Sequence, residues 1–189
     1  MSLMMTTGPS GMNRIEFAPF DIQDALPYLV QWLADPDVRR WYDAGEPTPE
    51  NLSDKFAPDP AKSRYTIQID GYPVGYIQLY RLRDYSEYQR QVGVDPDAVA
   101  IDLFIGDPAY RNRGWGANVL RACVDRIVFG QMNASLVMIA PDPANLRAVR
   151  SYGKAGFRSA KTVRVLDENP ANAGEELVML MTREDQTPS

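Results

Sequence analysis

The chain contains no histidine. A histidine-based triad, a histidine-ligated metal and a histidine general base are therefore excluded, and no metal site is expected. Any proton transfer falls to carboxylates, tyrosine, lysine, cysteine or water. Cysteine is nearly absent as well. Cys123 stands alone, so no disulfide framework exists and a reducing compartment fits. No apolar run reaches the roughly eighteen residues of a membrane span. The opening stretch "MSLMMTTGPSGMN" lacks the charged-then-apolar pattern of a secretory signal, so the cytoplasm is the expected location. Basic charge is in short supply too. With 20 Lys and Arg against 25 Asp and Glu, the net charge of −5 argues against a nucleic-acid footprint. It favours a cationic ligand slightly over an anionic one.

What is present describes one globular domain: 189 residues, 44% hydrophobic and 24% charged. Residues 1–12 read as a disordered segment or a tag, 13–183 as the domain, and 184–189 as a frayed end. Alternation in "RIEFAPF" predicts a first strand. Asp21 then caps a helix with Leu26, Leu29, Val30 and Leu33 on one stripe, and two short helices follow, the second opening at Thr48-Pro49. Residues 63–70 and 73–82 read as a hairpin about Asp70-Gly71. Residues 83–97 read as a polar, tyrosine-bearing connection, either functional or disordered. Then come a strand at 98–106, a helix ended by Gly130, a strand at 134–141, a helix ended by Gly156, and a closing hairpin. The order β-α-α-β-β-β-α-β-α-β-β predicts a single α/β (α+β) domain, with a mixed, mostly antiparallel sheet flanked by helices.

The stretch "YRNRGWGANVL" places Gly114 and Gly116 where the central helix begins. A strand, a glycine turn and a helix start form a phosphate cradle, because the first N–H groups of a helix have no partner inside it. The Walker pattern fails, since Gly-Lys-Ser/Thr is missing, and the Rossmann pattern fails, since Val119 stands where a third glycine belongs. Spacing alone leaves two readings open: an anion cradle, or a helix that merely begins at a tight turn.

"RNRGWG", followed about thirty residues later by "NLRAVRSYGKAGF", resembles the two signature segments of the GNAT (GCN5-related N-acetyltransferase) superfamily, over about residues 13–183. Within it, "RRWYDAGEPT", "GYPVGYIQLY", "AIDLFIGDPAYRNRGWG", "DPANLRAVRSYGKAGF" and "VMLMTRE" most resemble the aminoglycoside 6′-N-acetyltransferases. The related siderophore-acylating branch commonly carries an active-site histidine, which this chain lacks. The resemblance implies acetyl-CoA as cosubstrate and direct transfer of an acetyl group to an amine. It implies that Arg111, Asn112, Arg113, Gly114, Trp115, Gly116 and Ala117 wrap the diphosphate. Backbone near Phe104 and Ile105 would hold the pantetheine arm, and Asn145 would contact it or order nearby backbone.

Asp102 sits in mid-strand, where a buried charge is costly. It is either a carboxylate paired with an arginine or backbone donors, or a functional group aimed into a cleft. The resemblance implies a general base, matched by Ala100-Ile101-Asp102. Tyr152, seven residues after Asn145, is either a core tyrosine or, by the same resemblance, the donor to the departing thiolate. Cys123, on the apolar stripe, is expected to be inert. An acceptor pocket for a cationic small-molecule amine would draw on Trp41, Tyr42, Asp43, Glu46, Asp142, Asp167, Glu168 and Glu175. One departure stands out: the family's aspartate five residues before the asparagine is Ala140 here, and the acid appears as Asp142. The rival readings are another GNAT acyltransferase and a non-catalytic acyl-CoA-binding module, and the assembly expected is a monomer or homodimer.

Overall fold

The computed structural model describes residues 14–42, 45–168 and 173–186. The segment 1–12, the candidate Asp43 and residues 187–189 of the expected frayed end lie outside the described residues.

Local chemistry sets most element ends. β1 (Ile15–Pro19) leads to α1 (Ile22–Ala34), where the Asp21 carboxylate accepts from the Gln23 N–H at 2.8 Å. After the single-turn α2 (Pro36–Arg39) comes α3 (Pro49–Lys55), capped by Thr48 on the Asn51 N–H at 3.3 Å. Such caps contribute about 1 kcal/mol each. β2 (Lys62–Ile69) and β3 (Tyr72–Arg81) form the expected hairpin. Its turn residues Asp70 and Gly71 take φ of 52° and 82°, the left-handed pair that a tight two-residue turn needs.

The 83–97 connection is ordered. It contains α4 (Ser86–Val92), closed by Gly93 at φ 57°. Gln91 ties this helix across the sheet, accepting from the Leu166 N–H at 2.7 Å and donating to its carbonyl at 2.9 Å. β4 (Val99–Ile105) then leads to α5 (Trp115–Cys123). Gly130 does not end this helix. The chain continues helically through Val124–Gln131 with wider turns, closed by the Met132 N–H on the Ile127 carbonyl at 2.8 Å. β5 (Leu136–Ile139), α6 (Leu146–Ala155), β6 (Arg158–Val165) and β7 (Gly174–Thr182) complete the domain. Gly156, at φ 114°, ends α6 as expected.

The seven strands form one sheet in the order β1-β2-β3-β4-β5-β7-β6. Among these pairs only β4–β5 is parallel. One face packs on α5 and α6 through Ile77, Leu79, Ile101, Val119, Leu120 and Cys123. The other packs on α1–α3 through Leu29, Leu33, Leu52, Phe56, Tyr76 and Phe104. Among the described residues, no helix is long and apolar enough to cross a membrane.

One break in the sheet positions everything that follows. β4 pairs with β3 over its whole length, from Arg81↔Val99 to Gly75↔Ile105. With β5 it pairs only at Val99↔Val137 and Ala100↔Met138. Beyond those two residues β5 stays with β7, and the Leu177 N–H holds the Pro141 carbonyl at 2.9 Å. The sheet therefore opens into a wedge between β4 and β5.

Candidate active site

The wedge exposes one edge of β4, and the phase of the ladder decides which groups it offers. Leu82 N–H donates to Ala98 C=O at 3.0 Å, and Gly106 N–H donates to Val74 C=O at 2.8 Å. The register between these points is unbroken. Even-numbered residues thus direct their backbone groups at β3, and Leu103 and Ile105 direct theirs into the wedge. Of the stretch expected to offer its backbone, Phe104 is used on Tyr76, while Leu103 and Ile105 form the open edge.

The side chains alternate in the opposite sense. Ile101 is buried under α5 and Leu103 and Ile105 pack against that layer, while Asp102 and Phe104 face the other side. Asp102 lies at the junction of two clefts. The first, about 270 Å³, runs between the splayed strands. It is lined by Asp102, Leu103, Ile105, Gly116, Asn145 and Tyr152, among others. The second, about 600 Å³, opens beneath α4 and is lined by Gln78, Tyr80, Tyr85, Tyr88, Asp102 and Glu176, with Lys55, Lys62 and Asp167. Trp41, Tyr42 and Ala140 belong to both.

Among the described residues, no arginine fork holds Asp102. Its Oδ2 accepts from Gln78 Nε2 at 2.7 Å, and Gln78 Oε1 accepts from the Tyr76 hydroxyl at 2.9 Å. Among the described residues no hydrogen bond reaches its other oxygen. Burial raises the Asp102 pKa above the usual carboxylate value, against the lowering effects of the Gln78 hydrogen bond and the Lys62 charge. A carboxylate held this way is a stronger proton acceptor than one in water.

Tyr152 enters the first cleft from α6. Burial, with the nearby Asp102 charge, pushes its pKa up and keeps the phenol protonated. Its hydroxyl bonds to no other described residue. Asn145 caps α6, its Oδ1 accepting from the Ala148 N–H at 3.1 Å. Burial pushes the Cys123 thiol up to about 12, as befits a core residue.

At the α5 end the two glycines do different jobs. Gly114 sits at φ 83°, with open space around it, and turns the chain into the helix. Gly116 admits α6: a Cβ there would meet Ser151 Oγ at 2.8 Å. Unlike α1, α3 and α6, this helix has no side chain capping its start. Its first N–H groups, at Trp115, Gly116 and Ala117, are left for an outside acceptor. Asn112 and Arg113 are exposed beside them, and Asn112 takes a left-handed φ of 59°. Arg111 is placed differently. Its side chain is 9% exposed and its guanidinium clasps Asp35, with Asp37 at 3.6 Å. The Arg111 hydrogen bond, with its charge behind it, holds the Asp35 carboxyl below its usual value and ties the turn to α2. Arg111 therefore braces the cleft wall.

The expected acceptor residues divide. Trp41, Tyr42 and Asp167 line the second cleft. Asp142 lines only the first, and its carboxylate accepts from the Ala144 N–H at 2.7 Å. Glu46, Glu168 and Glu175 are exposed and line neither cleft. Next to Glu175, on the opposite face of β7, Glu176 does line the second cleft. Gln78, Tyr80, Tyr85 and Tyr88 were not legible as site residues either. Tyr85 and Tyr88 lie in the connection whose tyrosines stood out, but their convergence depends on α4 folding over the sheet.

The family model described as "Acetyltransferase (GNAT) domain" matches residues 21–165. The chain belongs to the GNAT acetyltransferases. This GNAT domain is 27% identical over 165 residues to the "Aminoglycoside N(6')-acetyltransferase type 1" of Klebsiella pneumoniae, spanning 84% of this chain and 79% of that protein. Over 90 residues it is 32% identical to a "Kanamycin resistance protein" of Rhizobium radiobacter, spanning 48% of this chain and 77% of that one. Its structure is similar to that of AAC(6')-Ib in complex with parmomycin and acetyl-CoA. That match has a TM-score of 0.80 at 25% identity and covers 93% of this chain and 98% of the other. The same enzyme with coenzyme A and kanamycin gives 0.79 at 25% identity, covering 91% and 96%. Among the described residues, no group of acidic or thiol side chains is arranged to hold a metal ion.

Proposed function

We propose that this GNAT domain transfers an acetyl group from acetyl-CoA directly to a primary amine of an aminoglycoside or a similar cationic small molecule. The observation that carries the reading is Asp102: a raised-pKa carboxylate with one oxygen unused, at the junction of a cleft containing Tyr152 and an aromatic cleft. The residues fit acetyl-CoA. The uncapped start of α5 suits a diphosphate, with the exposed Arg113 as a further cation. The unpaired edge of β4 suits an amide-bearing arm laid along it like an added strand.

Acetyl-CoA supplies the activated thioester acetyl. The protein's residues do the rest. An aliphatic amine arrives protonated, with a pKa near 10. Asp102 holds the ammonium and accepts its proton, directly or through one water, so that the nitrogen can attack. The wedge-facing N–H groups of Leu103 and Ile105 are ready donors for negative charge developing on a carbonyl oxygen. Tyr152, kept protonated by burial, donates its hydroxyl hydrogen to the departing sulfur. Asn145 fixes the helix that carries Tyr152. We place this chemistry in the cytoplasm, where acetyl-CoA is made and used, with a monomer or homodimer as the working form.

The test is a panel of kanamycin, ribostamycin, simple polyamines, amino acids and peptides with acetyl-CoA, followed by thiol release. Turnover of the aminoglycosides supports the reading. Turnover confined to amino acids or peptides replaces the acceptor class, and coenzyme A binding without turnover of any amine leaves only a binding module.

A further inference from the structure

Glu176 is used by nothing in the mechanism above. It projects from β7 into the second cleft, on the wall that also carries Tyr80, Tyr88 and Asp102. The Tyr88 hydroxyl donates to Oε2 at 2.6 Å, a bond that joins α4 to β7. No hydrogen bond from a described residue reaches Oε1. Burial lifts the carboxyl to about 7, with the Asp102 charge adding to the rise and the Tyr88 bond opposing it. Neither cleft lysine appears among the groups that shift it. Lys62 lies 3.7 Å from Asp59 and over the Tyr85 ring, and Lys55 lies over the Tyr42 ring. A carboxyl oriented by a tyrosine, walled by aromatic rings and short of a cation suits an ammonium group.

We infer that Glu176 is a specificity-determining residue that binds a second ammonium of the acceptor while a first is presented to Asp102. The inference rests on the proposed amine acetylation and deepens it: the preferred acceptor carries at least two amines, spaced to reach both carboxylates in one cleft. Tyr88 is the positioning residue, holding Oε2 so that Oε1 faces the cavity. An ammonium there supplies the missing countercharge and keeps Glu176 ionised at neutral pH.

The experiment compares two acceptors, kanamycin and the monoamine 6-amino-6-deoxyglucose, in wild type, Glu176→Gln and Tyr88→Phe. Glutamine keeps an acceptor for the Tyr88 hydroxyl, and thermal denaturation checks that each variant folds. For Glu176→Gln the inference expects the KM for kanamycin to rise about tenfold or more, as for loss of a charge-assisted hydrogen bond. Its kcat should stay near wild type, and both constants for the monoamine should be unchanged. Tyr88→Phe should raise the kanamycin KM by a smaller factor, again without touching the monoamine. Equal losses on both acceptors, a fall in kcat alone, or an unchanged kanamycin KM would each overturn it. Unimpaired wild-type turnover of kanamycin in those cases leaves the proposed function standing. A wild type inert towards every amine removes that function, and this inference with it.

Discussion

Asp102→Asn separates activity from stability. Asparagine preserves the volume and can still accept the Gln78 Nε2 hydrogen bond, now 2.7 Å from Oδ2, by turning its own amide nitrogen to the cleft. What it removes is a half-buried negative charge and, among the described residues, the one carboxylate that lines both clefts. A positioned general base contributes about 10²- to 10⁴-fold, or roughly 3 to 5 kcal/mol of barrier. We therefore expect kcat/KM to fall at least a hundredfold, with coenzyme A binding unchanged. Stability should move the other way. The folded-state pKa of Asp102 is raised by burial, so its ionised form opposes folding. The stability of the wild type tied to this group is present at acid pH and lost as pH rises through the folded pKa. The variant should match the wild type in acid and equal or exceed it at neutral pH. Urea unfolding at both pH values and steady-state kinetics on the same samples give the answer. A fall in kcat/KM of less than about tenfold, or a marked loss of stability at neutral pH, would refute the reasoning.

Three further outcomes are expected. Gln78→Leu removes the hydrogen bond that lowers the Asp102 pKa, so the acid limb of the kcat/KM profile should shift to higher pH; an unmoved limb disconnects Gln78 from the base. Gly116→Ala puts a methyl against Ser151 Oγ, a side-chain atom free to rotate away, while alanine favours the helix by about 1 kcal/mol. Folding should survive in that variant, and calorimetry with coenzyme A then reads how closely the diphosphate approaches this backbone; unaltered affinity assigns Gly116 to helix packing alone. Glu176→Gln should gain stability over the wild type as pH rises. A carboxyl lifted from 4.5 to about 7 is favourable to folding below 4.5 and loses that contribution through 7. At 1.36 kcal/mol per pH unit this amounts to about 3 kcal/mol by pH 8, and parallel stability curves for the two proteins between pH 4 and 8 would contradict it.

Much of the molecule is legible from short-range signals. Asp21, Thr48 and Asn145 cap helices because a short oxygen-bearing side chain reaches the nearest free N–H. Asp70-Gly71 turns a hairpin because that backbone needs positive φ. The alternation that puts Asp102 opposite the α5 face follows from the two-residue period of a strand. α4 escaped because its start, at Tyr85, carries no side-chain cap. Gly130 misled because the helix widened its turns instead of ending.

The sequence by itself determined most of the elements and the family, and it singled out Asp102 and Tyr152, which line one cleft. These rest on local geometry and on spacing along the chain. Tertiary structure alone decided that Gln78 bonds the Asp102 carboxylate, that Arg111 turns inward to Asp35, and that Glu176 rather than Glu175 faces the second cleft. It also decided that Leu103 rather than Phe104 offers its backbone to the wedge. Each of these depends on cross-strand register or on which helix lies over which face. A single-residue slip in a strand reverses such an assignment, and it is fixed only when distant segments pack together.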